Sequence, residues 1–288
     1  MASERTLERS VSSDIGHSLI AAALLACLVA CSGVPRTLEK TGTDGLREDT
    51  PPVISETIRF GRAYLEVVTM PGEEAADASL GFLASEESEI WDEVVAIELQ
   101  GSEGSIMAID FSVDKGLPFR DWIVGALLVS LPSDGEPMTF NKATIWVASG
   151  QIIETEIGQI TSPLHVAEEP MQIVDQYTAI GSDCGNMPVS LENTSSNEEW
   201  TLIDVVTSEP SPVQANWSFE EPQVIPPGGR LNGTLVTSCD LVEYGFISFV
   251  PKLILARSDG SELIQQLPSI QIGYMTIFPE RLEQILNR

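Results

Sequence analysis

Downstream of Pro52 the chain alternates between short apolar runs and turn residues, with no 3.6-residue apolar stripe of helical length until its last ten residues. Runs at 58–68, 94–99, 106–111, 123–131, 144–148, 202–206, 231–236, 244–250 and 253–256 have the length and period of β-strands. Two Asp-Gly steps, Asp134-Gly135 and Asp259-Gly260, supply the positive φ that tight hairpins require. Near the end Pro279 precedes Leu282, Ile285 and Leu286 at i, i+3, i+4 spacing. This predicts one short helix, expected to cap the second sheet.

An internal comparison sharpens the picture. Residues 79–95 (SLGFLASEESEIWDEVV) lie without gaps over 190–206 (SLENTSSNEEWTLIDVV), at an offset of 111. Ser79/Ser190, Leu80/Leu191, Ser85/Ser196, Glu87/Glu198, Val94/Val205 and Val95/Val206 are identical, and a tryptophan, Trp91 or Trp200, follows each polar tract. Further on, Gly125-Ala126-Leu127-Leu128 parallels Gly233-Thr234-Leu235-Val236. A period near 110 residues fits two tandem domains and exceeds the units of about 20–50 residues of which solenoids are made. Each unit has the strand count and spacing of an immunoglobulin-like sandwich. The second unit resembles bacterial immunoglobulin-like domains, on Val189 to Thr194 (VSLENT) and on the Pro226-Pro227-Gly228-Gly229 turn before a long strand. The fold class expected is therefore all-β: two tandem immunoglobulin-like β-sandwiches, at 53–160 and at 161–288, the latter including an inter-domain linker and the short C-terminal helix.

The one long apolar run without a charge, residues 18–30 (SLIAAALLACLVA), is too short to cross a bilayer, which takes about 20 residues. It has the size of a signal-peptide core. Its end, Leu28-Val29-Ala30-Cys31, resembles the bacterial lipobox, in which a small residue precedes a cysteine that becomes diacylated and then opens the mature chain. The resemblance implies a signal peptide over 1–30 and lipid attachment at Cys31. Leu24-Leu25-Ala26-Cys27 offers a second match, and the segment before the run carries Glu4, Glu8 and Asp14 against Arg5 and Arg9. Cys31 is preferred because Ser32-Gly33 and a polar stretch follow it. Residues 31–52 read as a tether; if flexible, it has a reach of about 25 Å.

Charge and side-chain inventory then narrow the chemistry. With 15 Lys+Arg against 43 Asp+Glu the net charge is −28, which excludes nucleic acid as a partner. With 43% hydrophobic residues, the chain has enough apolar surface for an ordinary core. Setting aside Cys27 and Cys31 leaves Cys184 and Cys239, expected to form a disulfide in an oxidising compartment rather than two separate buried thiols. Closing that loop stabilises by about 4 kcal/mol in the chain-entropy model. The histidines are His17 and His165, too few for a His-rich zinc site, and no G-x-S-x-G elbow occurs. Ser112-Val113-Asp114-Lys115 matches S-x-x-K at a strand end. Acidic clusters at Glu73-Glu74, Glu86 to Glu89, Asp92-Glu93, Glu168-Glu169 and Glu198-Glu199 read as solvated turns, because the D-x-[DN]-x-[DN]-G calcium loop is missing. N-x-[ST] triplets start at Asn193, Asn216 and Asn232.

These features lead to the expectation of a lipid-anchored cell-envelope protein, at the cell membrane or outer membrane, that serves as a non-catalytic interaction or scaffolding module. Its partners would be the membrane, through the N-terminal lipid, and a protein of the envelope; no catalytic residue, cofactor or metal is expected. A small-ligand or calcium-binding lipoprotein is the alternative. A hydrolase working through carboxylates such as Asp92/Glu93 or Asp110/Asp114 is a third reading, which a pocket enclosing two such groups would favour.

Overall fold

Strand β2 (Ala63–Thr69, AYLEVVT) is buried on both faces, and the architecture follows from why. In a strand, successive side chains point to opposite sides. Ala63, Leu65 and Val67 accordingly enter one hydrophobic core, while Tyr64 enters a second. A computed structural model describes residues 58–69, 72–165, 170–219, 221–239, 241, 243–273 and 282–286. Cys31, the signal peptide, the tether and the Glu168-Glu169 pair lie outside the described residues.

The first core is enclosed by two sheets. One has the order β1 (Ile58–Phe60), β3 (Ala75–Ala84), β7 (Trp122–Pro132), β6 (Asp110–Phe119). The facing layer contains β2, β9 (Ile152–His165), β8 (Met138–Val147), β4 (Val94–Gly101) and β5 (Gly104–Met107). The second core repeats the plan. One sheet runs β10 (Met171–Tyr177), β12 (Asn186–Asn193), β16 (Arg230–Cys239), β14 (Val213–Trp217). Another runs β15 (Gln223–Ile225), β13 (Trp200–Val206), β18 (Lys252–Arg257), β19 (Glu262–Gln266). Both halves thus carry the A-B-E-D order of an immunoglobulin-like sandwich opposite a C-F-G layer, and the protein is all-β of sandwich type.

The sequence repeat has a structural counterpart. β3 opens at 75 and β12 at 186, 111 residues on; β7 opens at 122 and β16 at 230, 108 on; β8 opens at 138 and β17 (Phe246–Phe249) at 246, again 108 on. In the second half two long strands are each broken once. Pro251, which has no N–H to give to a ladder, separates β17 from β18, and β20 (Ile270–Ile272) continues the line of β19. The pieces β17 and β20, with β11 (Ile180–Gly181), peel away and join the first half's layer. One eight-stranded sheet results, ordered β11-β20-β17-β2-β9-β8-β4-β5. Its seam is a parallel pairing of β2 with β17, with Ala63 opposite Phe246, Tyr64 opposite Ile247 and Leu65 opposite Ser248.

Two expectations change here. Residues Thr161–His165, read from the sequence as part of a connecting stretch, continue β9, where Thr161, Leu164 and His165 pair in parallel with Glu66, Val68 and Thr69. The C-terminal helix, Leu282–Leu286, forms where the spacing places it but does not cap the second sheet. Leu282 and Ile285 instead pack on Leu83 and Val124, on the outer face of the first sandwich. That seat is apolar because Leu83 and Val124 point away from the first core, opposite to Phe82 and Leu127.

Candidate functional site

The seam between the sandwiches holds a buried carboxylate. Glu66 is 3% exposed. Being two residues from Tyr64, its side chain emerges on the same side of β2, toward the second sandwich. The Tyr64 hydroxyl donates to Glu66 Oε1 at 2.8 Å and the Val250 backbone N–H donates to Glu66 Oε2 at 2.7 Å. That N–H is free to donate sideways because the chain turns off the ladder at Val250-Pro251. Burial, and then the adjacent Glu66 charge, push the Tyr64 phenol well above the ordinary tyrosine range. The Tyr64 ring meets Tyr244 edge-on at 6.0 Å, and the Arg62 guanidinium lies over Tyr244 at 5.8 Å while pairing with Glu243 at 3.3 Å. Both members of that ion pair are more than a third exposed, so it adds at most about 1 kcal/mol. The joint is held instead by the backbone pairing of β2 with β17, by the Glu66–Val250 bond, and by burial of Tyr64 in the second core and Phe246 in the first. Chemically the arrangement fixes one sandwich against the other.

The residues singled out from the sequence are placed apart from this seam. Cys184 and Cys239 form a disulfide, with Cα atoms 5.9 Å apart. The antiparallel pairing of β12 with β16 sets Asn186 opposite Val236, which brings the two flanking cysteines together at the end of that ladder. Thr237 reinforces the same end, its hydroxyl receiving the Gly185 N–H at 3.0 Å. Glu86, Glu87, Glu89, Asp92, Glu93, Glu198 and Glu199 are all solvent-exposed, as are Asp110 and Asp114 on the edge strand β6. Ser112 and Lys115 are three residues apart on that strand and so project from opposite faces. Lys115 lies over the Trp91 ring at 5.3 Å. His165 ends β9, its backbone opposite Thr69.

Asn193 has a different role from the one its glycosylation triplet suggests. It is fully buried; its amide donates to Glu198 O at 2.8 Å and to Ile225 O at 3.0 Å, and its Oδ1 accepts the Ser195 N–H at 3.0 Å. Asn193 thus ties the turn after β12 to the end of β15, which is the physical content of the VSLENT tract. Asn216 and Asn232 are exposed on β14 and β16.

Glu66 was not among the residues marked by the sequence. The available signal was a lone carboxylate inside the otherwise apolar run 63–69, in a strand with no polar face. Among the described residues no group of three or more His, Cys, Asp or Glu side chains is placed to hold a metal ion, and no helix is long and apolar enough to cross a membrane.

No family model matches the chain, and no curated protein matches it. Solved structures are similar to the chain at low identity and low TM-score. A Porphyromonas gingivalis W83 protein of unknown function is similar over 75% of this chain and 99% of its own, at 13% identity and a TM-score of 0.24. The fibronectin(III)-like modules of Clostridium thermocellum CbhA are similar over 75% of this chain and 92% of theirs, at 10% identity and a TM-score of 0.21. Escherichia coli alpha-2-macroglobulin is similar over 72% of this chain at 11% identity and a TM-score of 0.26, this chain spanning 16% of it.

Proposed function

We propose that the protein is a lipid-anchored component of a bacterial cell envelope, in which two sandwiches joined by a shared sheet act as a non-catalytic interaction or scaffolding module. The observation that carries this reading is the apolar run 18–30 ending in Leu28-Val29-Ala30-Cys31, which resembles a lipobox and is followed by a polar tether. Supporting the non-catalytic part, each carboxylate pair considered for acid-base work that falls among the described residues lies open to solvent. Among the buried polar side chains, Glu66, Asn193 and Gln265 all bond to the backbone and so serve the fold. A scaffold has a use for rigid spacing between two surfaces, and a sheet running through both sandwiches supplies it.

The test is radiolabelled palmitate incorporation in cells, followed by mass spectrometry of the purified N-terminus. The expected product begins at Cys31 and carries a diacylglyceryl group; substitution Cys31→Ala abolishes the label. An unmodified chain that begins at Met1 and remains in the cytosol overturns the proposal. Crosslinking in intact cells then identifies the envelope protein that the anchored form touches.

A further inference from the structure

The last strand of the second sandwich ends at Ile272, yet the helix that follows it, Leu282–Leu286, sits on the first sandwich. The seat is made by Leu83 and Val124 on the outer sheet face, flanked by Phe119 and Trp122 from the β6–β7 hairpin. Leu282 is 2% exposed and Ile285 3%. Polar contacts fix the helix ends: Arg120 Nη2 pairs with Glu283 Oε1 at 2.7 Å, and Arg59 Nη1 donates to the Leu286 carbonyl at 2.6 Å. Arg59 is itself held over the Trp122 ring at 5.4 Å. The receptor therefore offers an apolar floor, one guanidinium for an acid near the helix start, and a second guanidinium for the unpaired carbonyls at its end.

A five-residue helix does not persist alone in water, because nucleation costs more than so few hydrogen bonds return. Its order comes from the seat, in which Leu282 and Ile285 are buried while Glu283 stays exposed. Such a segment belongs to the part of a structure that opens locally at low free energy while the sheets beneath stay closed. Opening uncovers Leu83, Val124, Phe119 and Trp122 together, two residues along β6 from Leu117, which is already 76% exposed.

We propose that the outer face of the first sandwich, built from Leu83, Val124, Phe119, Trp122, Arg59 and Arg120, is a binding groove for a short amphipathic helix, and that the chain's own C-terminal segment is its resident and exchangeable ligand. A second ligand would need a Leu-x-x-Ile-Leu apolar edge with an acid following the first leucine. This inference does not depend on the membrane anchor.

The experiment uses the full chain with Leu282→Asp and Ile285→Asp together, which unseats the resident helix and leaves the groove intact. A fluorescent peptide of residues 279–288 is titrated onto it. Saturable binding at least ten-fold tighter than to the unsubstituted chain, abolished when the peptide carries the same two substitutions, is the expected result. Equal binding to both chains, or none, overturns the proposal. Should the double variant fail to fold, the milder single variant Ile285→Ala takes its place in the same titration, and the same outcomes decide.

Discussion

Glu66 of the first sandwich accepts the backbone N–H of Val250 of the second at 2.7 Å, and both residues are buried. This bond lies at the end of the parallel β2–β17 seam, so its loss acts on the joint between the sandwiches more than on either core. Glu66→Ala leaves the buried Val250 N–H without its acceptor and the Tyr64 hydroxyl with the Pro210 carbonyl at 3.4 Å. An orphaned buried donor costs about 1–3 kcal/mol, and a loss of that size is expected in urea denaturation. Tyr64→Phe removes one donor and costs about 1 kcal/mol. Because the two side chains share one hydrogen bond, the double variant is expected to be less damaged than the sum of the singles. Additive losses would show that the carboxyl does not depend on the phenol.

Asn193 makes a second test of buried polar chemistry, this time within one sandwich. Its side chain satisfies Glu198 O, Ile225 O and the Ser195 N–H at once. Asn193→Ala strips all three and is expected to cost about 2–4 kcal/mol. Asn193→Asp discriminates this account from simple loss of volume. Aspartate keeps the acceptor for Ser195 but turns a carboxylate oxygen toward two carbonyls, so it is expected to be no better than alanine despite matching asparagine in size. Thermal melting under oxidising conditions, with the disulfide intact in every sample, checks the order.

The contrast between these residues shows what the sequence makes legible. Strands with one wet face announce themselves by alternation, and runs such as 123–131 and 231–236 correspond to β7 and β16 with little error. β9, with its sequence IIETEIGQITSPLH, breaks its alternation at a bulge around Gly158, since Ile160 pairs with Phe140 but Glu156 with Lys142, and so lacks a period-2 signature along its length. The Cys184–Cys239 disulfide is legible because, with Cys27 and Cys31 set aside, these two cysteines remain in one domain and flank two of its strands. By contrast, the shared sheet could not, since the pairing of β2 with β17 joins residues about 180 positions apart through backbone groups that carry no side-chain signature. The seat of the C-terminal helix was misplaced for a similar reason. Periodicity defines the helix's apolar edge, but Leu83 and Val124 are recognisable as its floor only once β3 and β7 are paired.

Alkaline pH probes the tyrosines. Burial raises the phenols of both Tyr64 and half-buried Tyr177 above the ordinary value of 10.0, with the Glu66 charge adding to the effect at Tyr64. In the unfolded chain these groups ionise near pH 10. A raised native value means that the folded state holds its proton longer. The stabilisation is therefore complete below about pH 10 and is lost as pH rises past it, because deprotonation favours the unfolded chain. The expected observation is that the phenolate absorbance of these two residues grows in only together with the loss of β-sheet circular dichroism. Tyr64→Phe should remove part of that late amplitude. Early, reversible ionisation of all the tyrosines with the sheet signal intact would contradict the burial argument.

The two glycines that the repeat aligns, Gly125 and Gly233, should respond differently to the same substitution. Each lies under an aromatic ring: a Cβ at Gly125 would come within 2.3 Å of Phe82 Cζ, and one at Gly233 within 2.4 Å of Trp217 Cζ2. Phe82 has no room to move. It is fully buried, with its ring centroid 5.3 Å from that of Phe60 and 5.1 Å from that of Trp91. Trp217 is half-buried on the edge strand β14, its ring beside exposed Phe219, and can swing outward. Gly125→Ala is therefore expected to destabilise by about 1–3 kcal/mol through overpacking, and Gly233→Ala by well under half as much. Adding Phe82→Leu to Gly125→Ala should recover part of the loss by making room for the methyl group, whereas Phe82→Leu in the parent is purely destabilising. Equal losses at the two glycines would mean that backbone preference, rather than the ring above each site, sets the requirement.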